Sequence, residues 1–174
     1  MVGTNLNVDT ITGVPGAPLA CGGCLLNFHT GNLTGTTAAS WTFGSGGTIQ
    51  ITGAFASAGI APGSTLLSGH FISSTTVVDT GSSLKVSGGG FTDTKNPALA
   101  TFYGFPAGQV FHGGLALIFV SGASPPNGFT SNATLHGIVS NTPVPEPASL
   151  LLLGSGLLGL AAYGRKKIKN MRNS

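Results

Sequence analysis

Between Trp41 and Ser140 the chain runs in short stretches that alternate large apolar with small polar residues, and glycine or proline interrupts them. Alternation with period two places every second side chain on one face of an extended strand. Trp41-Thr42-Phe43 and Gly47-Thr48-Ile49-Gln50-Ile51-Thr52 follow this pattern, and the intervening Gly44-Ser45-Gly46-Gly47 predicts a hairpin turn. Ala61-Pro62-Gly63-Ser64 predicts a turn ahead of a strand that runs to Phe71. Further strands are predicted over Thr75–Asp79, Ser83–Ser87, Leu99–Phe105, Gln109–Val120 and Thr134–Ser140. Gly88-Gly89-Gly90, Asn96-Pro97, Pro106-Ala107-Gly108 and Ser124-Pro125-Pro126-Asn127-Gly128 break the chain between them. No segment before residue 144 carries a helical period. The pattern predicts an all-β fold, an antiparallel β-sandwich or a jelly-roll-like domain, over residues 1–140. A β-helix would need a fixed repeat, and there is none.

Charge divides the chain sharply. Only 6% of residues are Asp, Glu, Lys or Arg, against about a quarter in an ordinary soluble domain. Up to Pro143 the charged residues are Asp9, Asp79, Asp93, Lys85 and Lys95, a net charge of −1. From Val144 onward Glu146 stands against Arg165, Lys166, Lys167, Lys169 and Arg172, a net charge of +4. The basic character therefore belongs to the tail. The body has no Arg and no basic patch, so nucleic acid is not expected as a partner.

The tail has three parts. Pro145-Glu146-Pro147 is stiff and extended, because each proline fixes its own φ and disfavours helix in the residue before it. Residues 148–164 come next without a charge, rich in Leu and Gly. As a helix they would span roughly 25 Å, the short end of the membrane-crossing range. Arg165, Lys166 and Lys167 then close the segment, with Tyr163 where an interfacial aromatic belongs. A transmembrane helix in contact with membrane lipid is predicted over 148–164, and a basic cytoplasmic tail over 165–174. The positive-inside rule then puts everything before Pro145 across the membrane. Residues 141–147 read as the linker between body and span.

Val144-Pro145-Glu146-Pro147, a Leu/Gly-rich span and a basic cluster, in that order at the C-terminus, resemble the PEP-CTERM sorting signal of Gram-negative bacteria. The resemblance covers about a sixth of the chain. It implies that exosortase, a membrane transpeptidase-like enzyme, recognises Pro145, Glu146 and Pro147 and processes the chain near them. It also implies export: a single-pass membrane precursor with its C-terminus in the cytoplasm, then delivery to the cell surface or the extracellular matrix. Such proteins begin with a secretory leader. Residues 1–9 have neither a basic start nor an apolar run, so the true start is expected upstream.

The body offers few groups for chemistry. Cys21-Gly22-Gly23-Cys24 is the sole cysteine pair. In an exported protein it is expected to form a local disulfide. A redox motif would place the first cysteine at a helix N-terminus, whereas a strand-like Leu25-Leu26-Asn27-Phe28-His29 comes after it here. A zinc site would use Cys21, Cys24 and His29 but lacks a fourth ligand. His29, His70, His112 and His136 are scattered along the sequence. Asp9, Asp79 and Asp93 are the body's carboxylates, too few to place a pair across a glycosidic bond without help from the fold. Thr92–Asn96 is too sparse in oxygen ligands for calcium. No catalytic residue, metal or cofactor is expected. The reading is a non-catalytic surface or matrix protein associated with exopolysaccharide. The alternative is a secreted carbohydrate-binding or hydrolytic β-sandwich using Asp79 or Asp93 with a histidine.

Overall fold

The computed structural model describes residues 1–12, 18–120, 131, 134–145 and 153–158, in two units, Met1–Pro143 and Val144–Ser174. In the first unit the strands are β1 (Val2–Ile11), β2 (Leu19–Thr30), β3 (Leu33–Thr36), β4 (Ser40–Phe43), β5 (Gly47–Phe55) and β6 (Ile60–Phe71). They continue with β7 (Thr75–Asp79), β8 (Ser83–Gly88), β9 (Phe91–Lys95), β10 (Val110–Val120) and β11 (Thr134–Pro143). One short α-helix, α1 (Pro97–Phe102), lies between β9 and β10, and a single 3-10 turn, Ala56–Ala58, joins β5 to β6.

Every pairing is antiparallel, in the order β1-β2-β5-β6-β9-β10-β8-β7-β4-β3, with β11 also on β10. β10 is where the sheet forks. Its first half, Val110 to Gly113, pairs with β9, and its second half, Leu117 to Val120, pairs with β8. β11 runs along its other edge. The chain therefore alternates between two branches: β1 and β2, then β3 and β4, then β5 and β6, then β7 and β8, and back to β9.

These crossings explain where Gly44, Gly46, Gly89 and Gly90 stand. Gly44 N–H donates to Asn32 O at 2.9 Å and Gly46 N–H to Phe71 O at 2.8 Å, so three crossings are bonded together. Ile72 N–H donates to Gly90 O at 2.8 Å, and Gly89 N–H to Ser74 O at 2.9 Å. Gly46 (φ 95°) and Gly47 (φ 85°) adopt backbone angles that L side chains rarely tolerate.

One hydrophobic cluster draws on both branches. Phe55, Phe71 and Phe91 are almost wholly buried, and Trp41, Val77, Leu84 and Val86 join them from the β3-β4-β7-β8 side. Phe71 meets Phe91 edge-on at 5.9 Å and Phe28 at 6.5 Å. Period-two alternation produces this core directly: in β5, Ile49, Ile51 and Phe55 point inward, while Thr48 and Gln50 face solvent.

The structure corrects several expectations. β4 and β5 are not a hairpin: β4 pairs with β3 and β7, and β5 with β2 and β6. Gly44–Gly47 carries the chain from one branch to the other, so its glycines mark a crossing. Ala61-Pro62-Gly63-Ser64 lies inside β6, where the β5–β6 register slips and Gly63 takes φ 76°. The predicted strand at Leu99–Phe105 gives way to α1. Asn96 Oδ1 accepts from Ala98 N–H at 3.0 Å and Pro97 occupies the first turn, so Asn-Pro starts a helix here. β1 and β9 are strands that the sequence pattern does not predict. The last strand continues to Pro143, so residues 141–143 of the predicted linker are strand.

Candidate functional site

β11 is held to β10 through the pairs Gly113–Asn141, His112–Thr142 and Phe111–Pro143. Beyond them Val144 is half-buried and Pro145 exposed. Glu146, Pro147, Arg165, Lys166 and Lys167 lie outside the described residues. Of the predicted span at 148–164, residues 153–158 are described and are helical. Leu153, Leu157 and Leu158 on it are 60% or more exposed. Among the described residues no helix is long and apolar enough to cross a membrane.

Cys21 and Cys24 form a disulfide, with Cα atoms 5.6 Å apart. The bridge spans a bulge in β2, where the pairing with β5 jumps from Gly22 to Leu25 and Gly23 takes φ 59°. Both sulfurs are buried over β5, and a side chain at Gly53 would run into Cys24 Sγ. His29 faces solvent from the opposite face of β2. The strand therefore separates His29 from the two sulfurs, and these residues make no common ligand set. Among the described residues no three His, Cys, Asp or Glu side chains converge on a metal position.

The carboxylates are also kept apart. Asp79 pairs with Leu84, which pairs with Phe119, while Asp93 pairs with Phe111. Eight residues of β10 separate those two registers, about 26 Å of strand. Glycosidic carboxylates stand about 5 to 9.5 Å apart, so Asp79 and Asp93 do not form such a pair.

Asp93 points into the core. Lys95 Nζ donates to its Oδ2 at 2.6 Å and sits 4.0 Å from the centre of the Phe111 ring. Asp93 Oδ1 is buried with no hydrogen-bond partner. Gly69 makes the room, since a side chain there would meet Asp93. Burial pushes the Asp93 carboxyl above its ordinary value, against the hydrogen bond and charge of Lys95. Burial likewise pushes Lys95 down, against the opposing pull of Asp93.

The histidines form the one pattern invisible along the sequence. Cross-strand pairs link His29 to Thr48, Thr48 to His70, His70 to Thr92, Thr92 to His112, and His112 to Thr142. Paired residues share a face, so a single row crosses β2, β5, β6, β9, β10 and β11 with His and Thr in alternation. His29, His70 and His112 are all exposed. Thr92 Oγ1 lies 3.1 Å from His70 Nε2. The next row on this face carries Asn27, Gln50, Ser68 and Thr94. Sequence spacing could not reveal the row, because it depends on the unpredicted β9 and on pairings across the crossings.

The first unit is thus a small antiparallel β domain, and the segment after its last strand has the composition of an address. The model of the PEP-CTERM protein-sorting motif matches residues 143–167, beginning at the last residue of β11. The chain carries this sorting motif, which supports exosortase-dependent sorting of an exported protein to the cell envelope or surface. No curated protein and no solved structure matches the chain.

Proposed function

We propose that the chain is a non-catalytic exported protein of the cell surface or extracellular matrix, delivered by its C-terminal signal and associated there with exopolysaccharide. Exosortase recognises Pro145, Glu146 and Pro147 and cuts near them. Residues 148–164 hold the precursor in the membrane as a single helix, with Arg165, Lys166 and Lys167 on the cytoplasmic side. The body is read as an antiparallel sandwich of the jelly-roll kind, its two branches closed over a shared core.

The observation that carries this reading is the sorting motif at 143–167, set immediately after the last paired strand. The separation of Asp79 from Asp93 and the inward turn of Asp93 support a body without hydrolytic chemistry.

Glu146→Ala tests the sorting role in a host with exosortase, with a functional leader supplied. Membrane and surface fractions are blotted for precursor and product. Uncleaved precursor in the membrane is expected. Wild-type processing of the variant would reduce the tail to a plain anchor.

A further inference from the structure

We propose that the outer face of β2, β5, β6, β9, β10 and β11 is an acid-responsive docking surface for an acidic polysaccharide, engaged through the row His29, His70 and His112. The inference rests on the exported placement above only for the polymer that the face meets.

The geometry is regular. Neighbouring strands lie about 4.8 Å apart, so the imidazoles stand about 10 Å apart with a hydroxyl between each pair. A hydroxyl both donates and accepts. Thr92 can therefore donate to a neutral His70 or accept from a charged one, and it keeps its partner through the change. Imidazoles gain charge on mild acidification. The donors on this face then become charge-assisted and available to carboxylates.

The surroundings of the row decide the sign of the surface. β2, β5, β6 and β10 carry no Asp, Glu, Lys or Arg. On β9 both Asp93 and Lys95 turn into the core and face each other. On β1, Asp9 comes after Val8, the partner of Cys24, about 17 Å along β2 from His29. The Met1 ammonium turns to buried Thr30, donating to Oγ1 at 2.9 Å. His136 on β11 and Lys85 on β8 pair with Ile118, about 20 Å along β10 from His112. Among the described residues no carboxylate stands within the row to neutralise an imidazolium. Protonation of all four histidines turns a body of net charge −1 into one of +3.

A polyuronate fits this surface better than a neutral glycan or a nucleic acid. It carries one carboxylate per sugar along an extended chain and can meet several imidazoles at once. Neutral glycans bind through exposed aromatic platforms, and Trp41 is buried. Nucleic acid calls for permanent Lys or Arg charge, which the face lacks.

The test uses the full chain in detergent and surface-immobilised alginate, with dextran and duplex DNA as comparison polymers. Alginate binding about tenfold tighter near pH 5.5 than near pH 7.5 is expected. H29Q/H70Q/H112Q should lose that gain, and H136Q, off the row, should keep most of it. All variants are checked by circular dichroism and melting. Alginate binding without pH dependence, equal binding to dextran, tighter binding to DNA, or a folded triple variant that binds like wild type would each overturn the proposal. None of these outcomes involves exosortase, so a failure here is distinct from a failure of the sorting assay.

Discussion

Asp93 and Lys95 show what a few charges cost inside a core of phenylalanines. The Asp93 side chain is fully buried while that of Lys95 is 17% exposed, and Asp93 Oδ1 has no hydrogen-bond partner. Removing one partner leaves the other buried and uncompensated, so Asp93→Ala should destabilise the body by about 3 kcal/mol or more. Replacing both, as in D93L/K95M, should be near neutral or stabilising. Urea denaturation of the single and double variants separates the two results. The pH dependence comes from burial. A carboxyl held above its ordinary value of 3.8 binds its proton more tightly in the folded chain than in the unfolded one. Its contribution to stability is then complete below that ordinary value and is lost as pH rises through the raised folded value. Asp93→Asn should flatten the denaturation midpoint against pH across that window. An unchanged slope would mean that another group sets it. The Cys21–Cys24 bridge closes a very short loop, so C21S/C24S should cost at most about 2 kcal/mol in a urea melt.

At the scale of elements, the helix start at Asn96-Pro97 is a local device with a local cost. Asn96 Oδ1 caps Ala98 N–H, and Asn96 Nδ2 donates to Thr65 O at 3.1 Å, tying α1 to β6. Asn96→Ala should lose about 1 kcal/mol, measured as a shift in the urea midpoint. Legibility from sequence also changes at this scale. Strands β7, β8 and β10 can be read within a residue or two, because bulky residues recur at every second position, Leu84 and Val86 in β8 and Leu115, Leu117 and Phe119 in β10, and β-branched residues fill β7 from Thr75 to Val78. Pairing partners are hidden. Gly44–Gly47 has the composition of a hairpin turn, and only the backbone bonds to Asn32 and Phe71 show that it is a crossing. Glycine reports that the chain changes direction and leaves the next partner open. The same limit conceals the His–Thr row. The Cys21–Cys24 pair and the sorting motif are readable because each is contiguous in sequence.

Over the whole molecule, body and address differ in the physics that each obeys. The body is specified by alternation and by the fit of large rings against glycine, as where a side chain at Gly113 would strike Phe91. The tail carries the sorting motif at 143–167, an order of chemical types along the chain, and in the function proposed above a membrane and an enzyme read that order. Two lesions separate the functions proposed for that order. Glu146→Ala removes recognition and leaves the uncharged span and its basic stop in place. R165N/K166N/K167N leaves the Pro-Glu-Pro element and removes the charges that fix which end stays inside. The second variant should therefore lose its fixed orientation, with part of the population exposing a C-terminal epitope tag to external protease. Its Pro145-Glu146-Pro147 should still be cut in the correctly inserted fraction. Both variants should keep the body within the roughly ±0.5 kcal/mol typical of surface changes, since neither replaces a residue of the body's buried cluster. The measurement is protease protection of the tag in intact spheroplasts, read beside the processing blot. A tag as fully protected in the charge-free variant as in the wild type would show that Arg165, Lys166 and Lys167 do not set topology.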